Sequence, residues 1–168
     1  MKARVATSVA LALAVALGTA GCGFIAPQAT TKHYDASDGV GGSVGSIDIR
    51  NAMIITDAKN GTVGNLVLTL VNTGSTSEQV AISAGDGTPG AAHVTVGPGQ
   101  ITQLGQDPET SGPDNVLFPE FSTKPGGLFK VYFQYGDQIG VNLTVPVLDG
   151  RLPEYSGLVP PTILPAAR

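Results

Sequence analysis

The chain has 168 residues and carries 9 Lys and Arg against 13 Asp and Glu, which gives a formal net charge of −4 at pH 7. This acidic balance argues against nucleic acid as a partner, because binding to phosphates needs clustered Lys and Arg. It also argues against electrostatic attachment to anionic lipid. The charged fraction of 13% and the 23 glycines favour a turn-rich β protein over a helical one.

Residues 1–21 have the pattern of a secretory signal peptide. Lys2 and Arg4 form a short basic start, and residues 5–22 carry no charge. A basic start, an apolar run of about a dozen residues and a small-residue end are the three parts of such a signal. The apolar run at 5–17 is shorter than the roughly 20 residues that a transmembrane helix needs. The sequence therefore predicts a leader that is absent from the mature protein.

The leader ends at the only cysteine of the chain, in the stretch Thr19-Ala20-Gly21-Cys22. This stretch resembles the lipobox of bacterial lipoproteins, with Thr19 at the place where Leu is commonest. The resemblance implies cleavage between Gly21 and Cys22 and diacylation of the Cys22 thiol. Each buried acyl methylene contributes about 0.8 kcal/mol, and two chains suffice for stable anchoring at the outer face of the cell membrane. The alternative is an ordinary secreted protein with an unused thiol.

Removal of residues 1–21 leaves 147 residues with seven basic and thirteen acidic side chains (7 − 13 = −6). One domain accounts for this length. Residues 22–43 begin with the lipidated Cys22 and continue as a polar, small-residue stretch. This composition predicts a flexible tether with a reach of roughly 25 Å. Because the only thiol is acylated, no disulfide forms and stability must come from an apolar core.

Residues 44–150 show the alternation of apolar and polar side chains that is typical of β-strands. The runs LFKVYFQY and IGVNLTVPVL are joined by a GDQ turn and predict a hairpin, with Pro146 at an edge or a strand end. The whole pattern predicts a Greek-key, immunoglobulin-like or cupredoxin-like antiparallel β-sandwich of seven or eight strands. A Pro-rich C-terminal tail follows at 151–168. The side chains expected in the core include Leu66, Leu68, Leu70, Val141, Leu143 and Val145.

Few residues are available for catalysis. Cys22 is assigned to lipid, and the two imidazoles belong to His33 in the tether and His93 near a predicted strand. A lone His in such a position is more often a surface residue than a general base, and no nucleophile-elbow, zincin or C-x-x-C motif occurs. The acidic loop at 106–115 matches no EF-hand spacing and is interpreted as a solvated loop, with weak calcium binding as the alternative. We therefore predict that the protein is not an enzyme.

The order of features from SVGSIDIRNAMIITDA through LVLTLVNTGSTSEQVAIS to GPGQITQL resembles actinobacterial surface lipoproteins of the LpqE type. That group in turn resembles the PCuAC periplasmic copper chaperones, which are small cupredoxin-like sandwiches. The resemblance covers residues 44–148. It implies a β-sandwich and an association with copper handling.

The PCuAC chaperones hold Cu(I) through Met and His ligands that end in a His-x-Met pair, and soft thioether ligands suit this ion. The mature chain has no His-x-Met pair. Its candidates are His93, in a stretch that corresponds to the family's first His, and Met53. Core packing is the favoured role of Met53, because it stands in the apolar run AMII. The prediction is therefore no resident cofactor, with copper left open.

The predicted function is that of a lipid-anchored, extracytoplasmic, non-enzymatic binding or accessory lipoprotein, from a family associated with copper handling. Its partners would be the membrane, through Cys22, and a protein or metal that the sequence does not identify. The alternative is a copper chaperone with a reduced Cu(I) site, or with a site completed by a partner protein.

Overall fold

The computed structural model describes residues 2–20, 34–35, 37–59, 62–85, 92–109, 114–119 and 121–161. The chain divides into two units, residues 1–34 and 35–168. The first unit holds helix α1 (Lys2–Ala20). In the described part of the chain, no helix has both the length and the apolar character that crossing a bilayer requires.

The second unit is an all-β sandwich, which confirms the predicted fold class. Its described residues form nine strands rather than seven or eight, and a 3-10 turn at Ser156–Leu158 follows them. The strands are β1 (Val40–Val44), β2 (Ile47–Thr56), β3 (Val63–Asn72), β4 (Glu78–Ala84), β5 (Ala92–Val96), β6 (Ile101–Leu104), β7 (Val116–Pro119), β8 (Leu128–Gln134) and β9 (Val141–Asp149).

The strands follow the order β5-β4-β8-β9-β2-β3-β6, with β1 also paired to β2 and β7 to β3. All these pairings are antiparallel except that of β2 with β9, so the sheet is mixed and not purely antiparallel. Residues 40–43 of β1 lie in the range that the sequence assigns to the tether. They form a strand because they pair with the first half of β2.

A change of partner within β9 joins the two layers of the sandwich. Its first part, residues 141–146, pairs with β8, whereas residues 147–149 pair in parallel with β2. Pro146 is the last residue of β9 that pairs with β8. Proline has no N–H to donate, and a point where a strand changes neighbours tolerates this loss. We call the two sides the β8 layer (β5, β4, β8) and the β2 layer (β2, β3, β1, β6, β7).

The main core lies between these layers. Val141 and Leu143 are only half-buried. Leu143 lies against Gly42 of the short, Gly-rich β1, where a Cβ would be 2.7 Å from Leu143 Cδ2. Ile139 precedes β9 and is 95% exposed. Four of the six side chains predicted for the core are fully buried, namely Leu66, Leu68, Leu70 and Val145.

A β-bulge at Asn51 interrupts the regular alternation of β2. The pairing with β3 shifts between Arg50 and Met53, and Asn51 has a φ of 52°. Asn tolerates this left-handed conformation better than most residues, because its short polar side chain hydrogen-bonds locally. Here the Asn51 side-chain oxygen accepts a hydrogen bond of 3.0 Å from the backbone N–H of Gly39.

The bulge reverses which residues of β2 face the main core. Ile47 and Ile49 before the bulge pack in the main core, and so does Ile54 beyond it. Met53 and Ile55 are turned to the outer face of the β2 layer, where they form a second buried cluster with Val67. A shift of one residue moves every later side chain of a strand to the opposite face.

Residues 150–161, which we call the C-terminal segment, cover this second cluster. Tyr155, Leu158 and Val159 pack against it. The backbone carbonyl of Leu158 also accepts a hydrogen bond of 2.9 Å from the side-chain amide of the buried Asn65. Apolar packing and a buried hydrogen bond together hold the segment on the sheet.

Candidate functional site

One end of the sandwich carries a cleft of about 640 Å³. Its walls are the β2–β3 connection (residues 57–59 and Thr62), the β7–β8 connection (residues 121–125), and Asp149 with Arg151 at the end of β9. We call it the end cleft. Loops at the ends of a rigid sandwich are the usual place for binding residues, because the strands hold their positions.

Hydrogen bonds to backbone carbonyls hold the loops around the end cleft. The Thr56 hydroxyl donates to the Val63 carbonyl at 2.8 Å and closes the β2–β3 connection. The Phe121 N–H donates to the Thr62 carbonyl at 2.9 Å and ties the β7–β8 connection to the same loop. The Gly126 N–H donates to the Val147 carbonyl at 2.8 Å and attaches it to β9.

The apolar part of the cleft is built around Phe121. This side chain is 5% exposed, and its ring lies 5.1 Å from the ring of Phe129. Gly64 in β3 provides the space, since a Cβ there would lie 2.9 Å from the Phe121 ring. Pro125 and Ala58 complete the apolar lining.

The charged part contains three basic residues, Lys59, Lys124 and Arg151, and two acidic ones. Arg151 Nε donates to Asp149 Oδ2 at 2.7 Å, so this pair neutralises itself. Asp57 Oδ1 accepts a hydrogen bond of 2.8 Å from the Lys59 backbone N–H. Both lysine side chains are exposed, and neither forms an ion pair with another described residue.

A smaller cavity of about 330 Å³ adjoins the end cleft and shares Asp149 and Arg151 with it. Asp38 and Tyr155 line its other side, and the Tyr155 hydroxyl donates a hydrogen bond to the Asp38 carboxylate. This hydrogen bond is the main cause that raises the pKa of Tyr155 to about 12, followed by burial and the negative charges of Asp38 and Glu154.

The two metal candidates are not brought together. Met53 is 2% exposed and lies in the second cluster, on the outer face of the β2 layer. His93 is exposed in β5, opposite Ala81, while its neighbour Val94 enters the main core. The thioether and the imidazole therefore lie on the outer faces of different layers, with the main core between them.

No group of three or more His, Cys, Asp or Glu side chains could hold a metal ion within the described ranges. Soft Cu(I) needs several converging thioether, thiolate or imidazole ligands, and the described residues do not fit such a site. The remaining predicted positions, Gly21, Cys22 and His33, lie outside the described residues.

The acidic loop at 106–115 is described at both ends, and its three acidic side chains, Asp107, Glu109 and Asp114, are exposed there. The Gly105 N–H donates to the Asp114 carbonyl at 2.8 Å. Asn115 Nδ2 donates to the Asp107 carbonyl at 2.5 Å. Backbone contacts thus close the loop, and its carboxylates face solvent.

The end cleft is not evident from the sequence alone. Its basic residues come from three separate connections, at positions 59, 124 and 151. Each stands within two residues of Asp, Gly or Pro and close to a strand end, in DAKNG, TKPGG and LDGR. That pattern marks them as loop residues, but only the strand order shows that the three loops share one end.

The described strands define a nine-stranded β-sandwich with a mixed sheet. The solved structures that it resembles include the copper-bound PCuAC domain from PmoF2, with a TM-score of 0.52 at 13% sequence identity. That match covers 66% of this chain and 98% of the PmoF2 chain. The apo PCuAC domain from PmoF1 gives a TM-score of 0.51, again at 13% identity, over 64% of this chain and 98% of its own.

At this level of identity the likeness establishes the fold: the chain has the PCuAC-type sandwich. No protein-family profile and no curated protein sequence matches the chain.

Proposed function

We propose that the protein is a lipid-anchored, extracytoplasmic, non-enzymatic binding lipoprotein that works in copper handling without holding copper tightly itself. One observation carries the proposal: the chain has the PCuAC-type fold, yet Met53 and His93 lie on the outer faces of different layers. A fold is a scaffold, and function depends on the groups placed on it. The described residues provide this scaffold without soft ligands that converge on one point.

The anchor is part of the same proposal. It is supported by the basic and apolar leader and by Thr19-Ala20-Gly21 before Cys22. A diacylated Cys22 followed by a short tether would keep residues 44–150 close to the outer face of the membrane.

Competition with a strong Cu(I) chelator tests the copper part. The full chain carrying Cys22→Ser is loaded with Cu(I) under reducing conditions, so that the lone thiol does not contribute a ligand. We expect the chelator to remove all copper. Any weak copper binding measured without the chelator should disappear in His93→Ala, since that exposed imidazole is the only described His.

The second candidate is a copper chaperone whose site is completed by a partner protein. The exposed position of His93 on β5, at the end of the strand order, favours it, because a partner could approach the imidazole there. One tightly held copper equivalent that survives the chelator would reject the first proposal in favour of a chaperone with a reduced site of its own, whereas a partner-completed site would hold copper only when the partner is present.

A further inference from the structure

The end cleft is basic although the protein is acidic. Three of the five Lys and Arg residues described in the second unit line it, whereas the mature chain has a net charge of −6 (7 − 13). Both acidic side chains in the cleft accept hydrogen bonds. Asp149 accepts one from the Arg151 guanidinium, and Asp57 accepts one from the backbone N–H of Lys59. The described side chains of the lining therefore have a net charge of +1 (3 − 2), and positive charge in a concave site attracts anions.

We propose that the end cleft binds a small organic anion. Its carboxylate or phosphate group would lie between Lys59 and Lys124, and its apolar part against Ala58 and Pro125, which are more exposed than the Phe121 ring. This inference rests on the proposed function as a binding protein and names the class of its ligand.

The two lysines are the residues that would recognise the charge. Their ammonium groups are exposed and have no ion-pair partner among the described residues, so no existing salt bridge has to break. Arg151 differs, because its guanidinium is already bound to Asp149 at 2.7 Å. The positive charge of Arg151 offsets the negative charge of Asp149, which would otherwise repel an anion.

The volume of the cleft suits a small molecule. A volume of about 640 Å³ falls within the roughly 300–1,000 Å³ of sites for metabolite-sized ligands. The Phe121 ring packs against the Phe129 ring, and the Phe121 backbone N–H donates to the Thr62 carbonyl, so the floor of the cleft is built from packed core residues. Apolar contact and charge together distinguish an organic anion from an inorganic one.

Ligand binding to the full chain carrying Cys22→Ser tests the inference. The probes are benzoate and phenyl phosphate, with benzyl alcohol as the uncharged control and inorganic phosphate as the control without an apolar part. Dissociation constants come from NMR titration. We expect at least one aromatic anion to bind tenfold or more tightly than both controls, and its affinity to fall with added salt.

The test variant carries both Lys59→Gln and Lys124→Gln. The matched control is the single variant Lys130→Gln, which changes a lysine of β8 outside the end cleft. The double variant should weaken anion binding at least tenfold, and Lys130→Gln should leave it unchanged. A thermal unfolding curve for each variant separates lost binding from lost folding. Preference for benzoate or for phenyl phosphate tells a carboxylate ligand from a phosphate ligand.

The inference is overturned if neither anion binds better than benzyl alcohol, or if the double variant binds as the wild type does. These outcomes do not affect the chelator experiment. Tight retention of copper would instead reject the proposed function while leaving anion binding as measured.

Discussion

At the scale of single residues, the contact between Tyr155 and Asp38 connects the beginning of the sandwich with the C-terminal segment. The phenol donates a hydrogen bond to the carboxylate of Asp38, which stands just before β1 in the range that the sequence assigns to the tether. Ionisation of the phenol would both remove the donor and place two negative charges side by side. The pKa of Tyr155 is therefore raised to about 12, which is above its value of 10.0 without these contacts.

We predict that this contact makes stability depend on pH in the alkaline range. Because the folded pKa is the higher one, the stabilisation is complete below pH 10 and is lost as the pH rises through about 12. The free energy of unfolding of Tyr155→Phe should consequently fall less than that of the wild type between pH 9 and pH 11. Urea unfolding of both proteins at pH 9 and pH 11 measures these free energies.

Tyr132→Phe is the control for this prediction, because it removes a phenol from β8 that makes no contact with Asp38. It should follow the pH dependence of the wild type. Equal losses of stability in wild type and Tyr155→Phe would show that the hydrogen bond contributes nothing in solution.

At the scale of elements, the C-terminal segment acts as the cover of the second cluster. Met53, Ile55 and Val67 are buried although they lie on the outer face of the β2 layer, and this segment packs on that face. Gly150 allows the close approach, since a Cβ there would lie 2.2 Å from Val159 Cγ2.

We predict that removal of residues 150–168 exposes the second cluster and lowers the free energy of unfolding by about 2–5 kcal/mol. Full burial of one such side chain contributes about 1.5–3 kcal/mol, and three of them lose part of their cover. Urea unfolding gives the free energy, and binding of a hydrophobic dye reports the exposed surface.

The matched control is removal of residues 162–168 alone, which leaves the covering residues in place. It should have nearly the stability and the low dye binding of the full chain. Unchanged stability after the longer truncation would mean that the segment does not protect the cluster in solution.

At the scale of the whole molecule, the proposed location depends on Cys22. We predict that Cys22→Ser abolishes lipid modification and moves the protein from the membrane fraction to the medium, because no acyl chain then holds it and its net negative charge does not attract it to anionic lipid. Fractionation with an immunoblot, together with mass determination of the mature protein, measures both effects.

Thr19→Leu is the control for the anchor, since it places the commonest lipobox residue three positions before Cys22. It should keep the protein lipidated and in the membrane fraction. If Cys22→Ser remains at the membrane to the same extent as the wild type, the lipoprotein assignment is wrong.

The sequence by itself determined the features that depend on neighbouring residues. The period-two pattern of β3 determined the burial of Leu66, Leu68 and Leu70, because alternation sets the two faces of a strand locally. The GDQ turn determined the β8–β9 hairpin in the same way. The apolar AMII run showed that Met53 is buried, but not in which cluster it lies.

Only the tertiary structure decided what depends on strands distant in sequence. The left-handed Asn51 turns Met53 away from the main core, and the partner change at Pro146 joins β9 to β2. The strand order then brings Lys59, Lys124 and Arg151 to one cleft while it places Met53 and His93 on different layers. Side-chain alternation determines which residues a strand buries, but the pairing of strands is a long-range choice that local pattern does not encode.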